Sequence, residues 1–325
     1  MGSKYRLVPH LASVFGDLGG RTALDAFSGS GVVSYLLKSM DYEVTSNDFL
    51  NFPTVIATAT TVNNSQRLTA GDVDRICGPA VDDRHFIQET FEGLYFNESD
   101  RRFLDSAWSH IDSMVGYKRS IAISALILSA ARRQPRGVFT FTDASKYDDG
   151  RRDLTLSLQD HFREHAISYN RAVFSTGLRH QAITGDVFDL PTGYDVVYLD
   201  PPYAPPRDDA DYMKRYHFLE GLSVYWLDQV IMQNTSTKKI EKKYTPFAYK
   251  RTVVDAMRRL FEKFADSAIV LSYSSNAVPD KDTIVGLLKE VKSDVTVIPI
   301  AHTYSFGTHP TAARRGASEY LFVAR

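Results

Sequence analysis

The segment Tyr194-Asp-Val-Val-Tyr-Leu-Asp-Pro-Pro-Tyr203 constrains this 325-residue chain more than any other. Side chains alternate between the two faces of a strand, and here both faces are apolar, so a strand at Val196–Leu199 must be covered on both sides. The runs TALDAF, QAITGDVFDL, AIVLSYSS, VTVIPI and EYLFVA are similarly apolar and rich in β-branched or aromatic residues. Strands of this kind alternating with helical spacing predict an α/β fold, a doubly wound sheet with helices on both faces. The last two runs suit an antiparallel pair, with 302–318 as the loop between them.

The amino-terminal fifty residues read helix, strand, glycine turn, helix, strand. Leu7, Val8, Leu11, Val14 and Phe15 recur at helical spacing, and Gly19-Gly20 ends the helix. From residue 60 the texture changes. Phe103, Ala107, Ile111 and Met114 fall on one helical face, and breakers recur at Gly71, Gly78-Pro79, Pro135-Arg136-Gly137 and Gly150. The expected organisation is a catalytic domain formed by 1–59 and 181–325, interrupted by a mostly helical insertion at 60–180. Ile121–Ala131 is the densest apolar run, far short of the ~20 residues that span a bilayer. With no signal-peptide pattern and Cys77 as the single cysteine, the expected location is the cytoplasm. The 38 basic and 39 acidic side chains nearly cancel, which excludes a uniformly basic nucleic-acid coat but not local basic patches.

Two segments carry chemistry. In Asp25-Ala-Phe-Ser-Gly-Ser-Gly31 a strand enters a glycine turn, where missing β-carbons let backbone approach a ligand. Asp48 follows Gly29 by 19 residues and ends the next strand, a spacing at which a carboxylate can accept hydrogen bonds from ribose hydroxyls. The turn lacks the third glycine of G-x-G-x-x-G, since position 34 is Ser, which disfavours a dinucleotide dehydrogenase. The second segment is Asp200-Pro201-Pro202-Tyr203, at the carboxyl end of its strand, where open α/β sheets place ligands. Two prolines stiffen the loop. The Asp200 carboxylate and the Pro201 carbonyl can both accept from one amino group, and Tyr203 offers a flat face to an aromatic base.

These motifs, in this order, resemble the adenine-N6 DNA methyltransferases that use S-adenosylmethionine. Gly2-Ser3-Lys4 with Leu7 is similar to that family's amino-terminal cofactor motif, and Phe27, Gly29 and Gly31 match its F-x-G-x-G turn. Asp186 in TGDVFD resembles the acid beside the cofactor's adenine. Tyr216-His217, Leu219-Glu220 and Leu222, then Tyr244-Thr245-Pro246-Phe247, Leu271-Ser272-Tyr273 and Glu319-Tyr320-Leu321-Phe322, match later family strings. The link APPRDDADYMKRYH is longer and more acidic than the family's usual one. The resemblance implies a Rossmann-like methyltransferase sheet and S-adenosylmethionine as cofactor. Lys4, Asp25, Phe27, Ser28, Gly29, Gly31, Asp48, Asp186 and Val187 would lie along that cofactor, and Asp200, Pro201, Pro202 and Tyr203 at the chemistry. It implies transfer of a methyl group to the N6 amine of a flipped-out adenine in double-stranded DNA, and it allows for a cognate restriction enzyme. The alternatives are RNA adenine-N6 or DNA cytosine-N4 methylation, which present similar atoms to the same loop, and a non-catalytic DNA-binding subunit.

Residues 117–137 carry Lys118, Arg119, Arg132, Arg133 and Arg136 with no acid, beside the apolar helix of the insertion. These side chains, with Arg314 and Arg315 on the late loop, are the expected phosphate contacts. Residues 237–251 form a second cluster, with six basic residues against Glu241 alone, and phosphate contact is expected there as well. His161 and His165 fit an H-x-x-E-H zinc pattern, but no third ligand is evident and methyl transfer needs no metal, so no metal is expected. Their helix reads as a solvated face, with Glu164 near positive partners.

Overall fold

Seven strands form one sheet in the order β3-β2-β1-β4-β5-β7-β6. They are β1 (Thr22–Asp25), β2 (Glu43–Asp48), β3 (Gln181–Thr184), β4 (Val196–Leu199), β5 (Ala268–Ser274), β6 (Val295–Ser305) and β7 (Arg314–Ala324). This computed structural model describes residues 4–140, 142–143, 150–204, 212–305 and 314–325, with only the backbone described for Arg136, 301–305 and 314–317. β1 through β5 run parallel, while β7 pairs antiparallel with both β5 and β6. The antiparallel pair is longer than expected. Ser305 pairs with Arg314 and Tyr304 with Arg315, so both arginines belong to a strand rather than to a loop 302–318. Extended backbone can continue through polar sequence once its partner strand satisfies the ladder, and apolar patterning does not register that extension.

The alternation in β4 explains the layers. Val196 and Tyr198 point to one face, into a core with Leu11, Phe15 and Leu37. Those residues belong to α1 (Val8–Leu18) and α2 (Val32–Ser39). Val197 and Leu199 point to the other face, against Met257, Leu260 and Leu287. These come from α11 (Val253–Lys263) and α12 (Lys281–Lys289). The doubly wound, Rossmann-like sheet is therefore present, and the connection order reverses between β1 and β4. The carboxyl ends of those two strands flank the crevice where such sheets bind ligands.

Between β2 and β3 the chain passes through α3 (Asn51–Ala57), α4 (Ala70–Ile76), α5 (Phe86–Thr90), α6 (Glu98–Ile111), α7 (Gly116–Arg132), α8 (Arg152–Thr155) and α9 (Leu158–Ala172). Ile121–Ala131 is the buried centre of α7, as its apolar run predicts. The helices bury Trp108, Leu126 and Phe162 in one core, together with Phe52 and Ile56 of α3. Phe218 and Leu222 join them from α10 (Tyr212–Val224), the helix after the Pro-Pro loop. No helix among the described residues is long and apolar enough to cross a membrane.

Candidate active site

The glycine turn is tied to the end of β2. Gly29 and Gly31 have φ of +49° and +75°, left-handed values that L side chains avoid. Ser28 N donates to Asn47 O at 2.8 Å and Gly29 N to Asp48 Oδ2 at 2.9 Å, while Asp48 Oδ1 accepts from Leu50 N at 3.0 Å. Burial pushes the Asp48 carboxyl up to about 6 against those backbone hydrogen bonds. Under the turn, Lys4, Asp25, Ser28, Tyr198 and Asp200 line a void of about 20 Å³. Asp25 Oδ2 accepts from Ser34 Oγ at 2.6 Å, but Asp25 Oδ1 and Ser28 Oγ are buried without a hydrogen-bond partner among the described residues. Burial raises the Asp25 carboxyl to about 7, offset in part by the Ser34 hydrogen bond and reinforced by the nearby Asp200 and Asp48 charges.

The Pro-Pro loop is anchored by Val278 N donating to Ala204 O at 3.0 Å. Three donors converge on one oxygen of Asp200. Lys4 Nζ lies 3.1 Å from Oδ1, the Tyr203 hydroxyl 2.9 Å and Ser272 Oγ 3.2 Å. Glu319 of β7, which is buried, accepts from Lys4 Nζ and lies 2.5 Å from the Tyr203 hydroxyl, whose single proton it shares with Asp200. Burial raises the Asp200 carboxyl, while Lys4 works to lower it. Burial disfavours the Lys4 ammonium, but Asp200 and Glu319 together hold it above its ordinary value.

A cavity of about 130 Å³ opens beside these groups, comparable to the ~150 Å³ that accommodates a benzene ring. Phe27, Gly29, Ser30, Asp48, Asp200 and Pro202 form one side, and Leu50, Phe52 and Pro53 continue it. Tyr212, Met213 and Tyr216 of α10 also line the cavity, as do Lys242, Lys243 and Thr245. The structure thus brings the glycine turn, Asp48 and the Pro-Pro loop to one cavity, with Lys4 just behind.

Other expected residues fall elsewhere. Tyr203 does not line the cavity. Lys4 Nζ sits 4.7 Å from its ring centroid and Tyr273 packs edge-on at 4.8 Å, while Tyr212 and Tyr216 present the aromatic walls. Asp186 caps a short turn by accepting from Phe188 N at 3.0 Å, and Val187 is buried in the core below; neither forms the cavity wall. Phe27 reaches toward them through Phe247, edge-on at 5.4 Å, and Phe247 stacks on Phe188.

The basic segment of the insertion is less uncompensated than its own sequence shows, because acids from other elements lie against it. Lys118 pairs with Asp72 at 2.7 Å, and Arg119 with Asp112 at 3.5 Å while lying over Trp108. Arg132 lies 3.6 Å from Asp153. Arg133 reaches the buried Asp100 at 3.3 Å, at an angle that is not a hydrogen bond's, and donates to Leu154 O. The side chains of Arg136, Arg314 and Arg315 lie outside the described residues, as does the link at 205–211. His161 is buried, not solvated, and stacks on His165, while Glu164 pairs with Arg152 as expected. Among the described residues no group of three or more His, Cys, Asp or Glu side chains could hold a metal ion.

Sequence reasoning missed Ser272 as a partner of Asp200, Glu319 as the acceptor for Lys4 and Tyr203, and Tyr212, Phe52 and Lys243 as cavity wall. Ser272, Glu319, Tyr216 and Thr245 lie in strings that matched the family, which was the available signal.

The family model described as D12 class N6 adenine-specific DNA methyltransferase matches residues 1–273. The chain is 31% identical over 300 residues to Type II methyltransferase M2.HphI of Haemophilus parahaemolyticus, covering 87% of this chain and 85% of that protein. It is 26% identical to Modification methylase StsI of Streptococcus sanguinis and 24% identical to Type II methyltransferase M.FokI of Planomicrobium okeanokoites. Those alignments cover 90% and 89% of this chain but 46% of each relative, so the chain spans about half their length.

Proposed function

The chain belongs to the D12 class N6 adenine-specific DNA methyltransferases, and from that premise we propose that its cavity receives an adenine extruded from double-stranded DNA, with S-adenosylmethionine lying along the glycine turn beside it. Membership makes the protein an enzyme that methylates adenine N6 in DNA, and decides against RNA adenine, cytosine N4 and a non-catalytic subunit. Relatives are named as a Type II methyltransferase and a modification methylase, and we extend to this chain the role of the modification half of a restriction–modification pair, beside a cognate nuclease in the cytoplasm.

The observation that carries the site reading is the one-sided grip on Asp200. Lys4, Tyr203 and Ser272 all address Oδ1, and Oδ2 has no partner among the described residues while Asp200 forms part of the cavity wall. Oδ2 and the Pro201 carbonyl then accept the two hydrogens of the adenine amino group. That geometry directs the nitrogen lone pair along the line of attack, and positioning of this kind supplies much of the acceleration. The fixed carboxylate also stabilises the positive charge that develops on nitrogen. The amino group, once it carried the methyl group that S-adenosylmethionine would supply, would have to shed one proton. Burial makes Asp200 a stronger base than an exposed carboxylate, so it is the group positioned to take that proton.

S-Adenosylmethionine, when bound, supplies an electrophilic methyl group on a positive sulfur. The residues present suit it. Asp25 Oδ1 and Ser28 Oγ are orphaned acceptors beneath a glycine turn, suited to an ammonium, and Asp48 is placed for the ribose hydroxyls. Asp186 and Val187 would lie toward the adenine end, beyond Phe27 and Phe247. Tyr212 and Tyr216 offer the flat surfaces for the target base, and Tyr203 joins them only if its ring leaves Lys4. The helices of 60–180 would supply target recognition. The test is incubation with methyl-labelled S-adenosylmethionine and separated DNA, RNA and protein acceptors, followed by mapping of the modified base. Label in DNA as N6-methyladenine is expected, and label confined to RNA or protein would overturn the reading.

A further inference from the structure

The second basic segment differs from the first in where it lies. Glu241 N donates to Val230 O at 2.9 Å and Met232 N to Lys239 O at 2.8 Å, closing a short hairpin with Lys238 and Lys239 near its end. The returning limb brings Lys242, Lys243 and Thr245 into the wall of the active-site cavity. After a single turn at Pro246–Ala248 come Lys250 and Arg251, both exposed, immediately before α11. Lys243 is 3.5 Å from Glu220, whereas Lys239, Lys250 and Arg251 have no carboxylate partner among the described residues. Tyr244 is 60% exposed and stacks on Tyr249, with ring centroids 5.5 Å apart and planes within 19°. Lys242 Nζ lies 4.8 Å from the Tyr249 ring centroid.

We propose that residues 238–251 form a DNA-backbone contact at the mouth of the cavity, gripping the phosphates that flank the extruded nucleotide. This rests on the DNA-methyltransferase reading and adds a surface to it. A base can enter the cavity only if its own sugar and phosphates come to the mouth. Cations at that mouth meet phosphates whatever the sequence, because backbone charge dominates affinity. The stacked Tyr244–Tyr249 pair adds an exposed aromatic face of the kind on which an unpaired base stacks. A surface lysine patch serving only solubility would not require the same limb to build the cavity wall.

The test uses the full chain with Lys239, Lys250 and Arg251 all changed to Gln, none of which is buried. Binding to a mixed-sequence DNA duplex is followed by fluorescence anisotropy across a salt series, and S-adenosylmethionine binding by calorimetry. The log–log salt slope should fall by about 0.9 for each phosphate no longer neutralised, up to ~2.7 for three. The KM for DNA should rise while kcat at saturating DNA and cofactor affinity stay unchanged. The corresponding Lys239→Arg/Lys250→Arg variant should keep the wild-type slope. A Gln variant with the wild-type slope would overturn the proposal. If the wild type transfers methyl groups to DNA in that same experiment, only this surface fails; if it does not, the parent reading fails first.

Discussion

The two basic segments, 118–133 and 238–251, look alike as sequence and differ as structure. On the helical side, Lys118, Arg119, Arg132 and Arg133 each face an acid from another element. On the cavity side, Lys242 and Lys243 stand in the wall with Asp48 and Asp200. Every one of those four side chains in the first segment meets an acid, whereas in the second Lys243 lies 3.5 Å from Glu220, and Lys239, Lys250 and Arg251 have no carboxylate partner among the described residues. Local charge balance does not reveal this difference, because an opposing carboxylate can arrive from any part of the chain.

The sharpest separation comes from the cavity floor. Asp200→Ala should lower methyl transfer by about 10³-fold or more, with cofactor affinity changed less than tenfold and the unfolding midpoint little altered. Near-normal turnover would remove the assignment of Asp200 to the substrate amine. Glu319→Gln is a companion probe, since it leaves the cavity wall intact but loosens Lys4 and Tyr203. We expect kcat to fall with little change in either KM, whereas a purely structural role would move stability instead.

On the helical side the largest expected effect is on folding. Asp100→Asn removes the charge facing Arg133, a side chain 14% exposed opposite a carboxylate 3% exposed. Breaking a buried pair from one side costs about 3 kcal/mol, readable by urea denaturation with kcat of the folded fraction unchanged. A stable variant with weakened DNA binding would invert the contrast between the two segments.

Asp48→Ala should weaken cofactor binding by about 1.5–3 kcal/mol, the value of hydrogen bonds to a charged acceptor. The same residue predicts a pH dependence. Its carboxyl is raised to about 6 by burial, so lowering the pH through about 6 protonates it and removes an acceptor. Cofactor affinity measured calorimetrically should therefore fall in two steps in the wild type, near about 7 as Asp25 protonates and near about 6 as Asp48 does, and Asp48→Ala should lose only the lower step.

The smallest effect is expected at the rim of the helical side. Lys118 and Thr69 hold Asp72 down to about 2, against burial, which would raise it. A carboxyl depressed in the folded state contributes stability above its unfolded value, near 3.8, and loses it as the pH falls through about 2. Lys118→Gln should thus cost less than ~1 kcal/mol at neutral pH and nothing at pH values below about 2. An unchanged DNA salt slope in this variant would complete the contrast with the 238–251 segment.

Much was legible without coordinates. Periodicity of two and of 3.6 residues is a local property, so β1, α1, α2, β4 and the buried α7 could be read from neighbouring residues alone. The glycine turn and the Pro-Pro loop were equally readable, because left-handed φ at Gly29 and Gly31 and fixed φ at two prolines are properties of single residues. Their placement at strand ends, together with the order of the motifs, pointed to both the family and the reacting groups.

What the sequence determined by itself was therefore whatever depends on near neighbours: the strands, the turns, and the positions of Asp48 and Asp200 at their ends. Only the tertiary structure decided which charges are spent on the fold, which way Tyr203 turns, and that Glu319, 116 residues from Tyr203, shares its hydroxyl with Asp200. It also built the cavity from α3, α10 and the 242–245 limb, which are far apart along the chain. The physical reason is that an ion pair or a cavity wall is fixed by which surfaces pack together, and packing joins residues that no spacing rule relates.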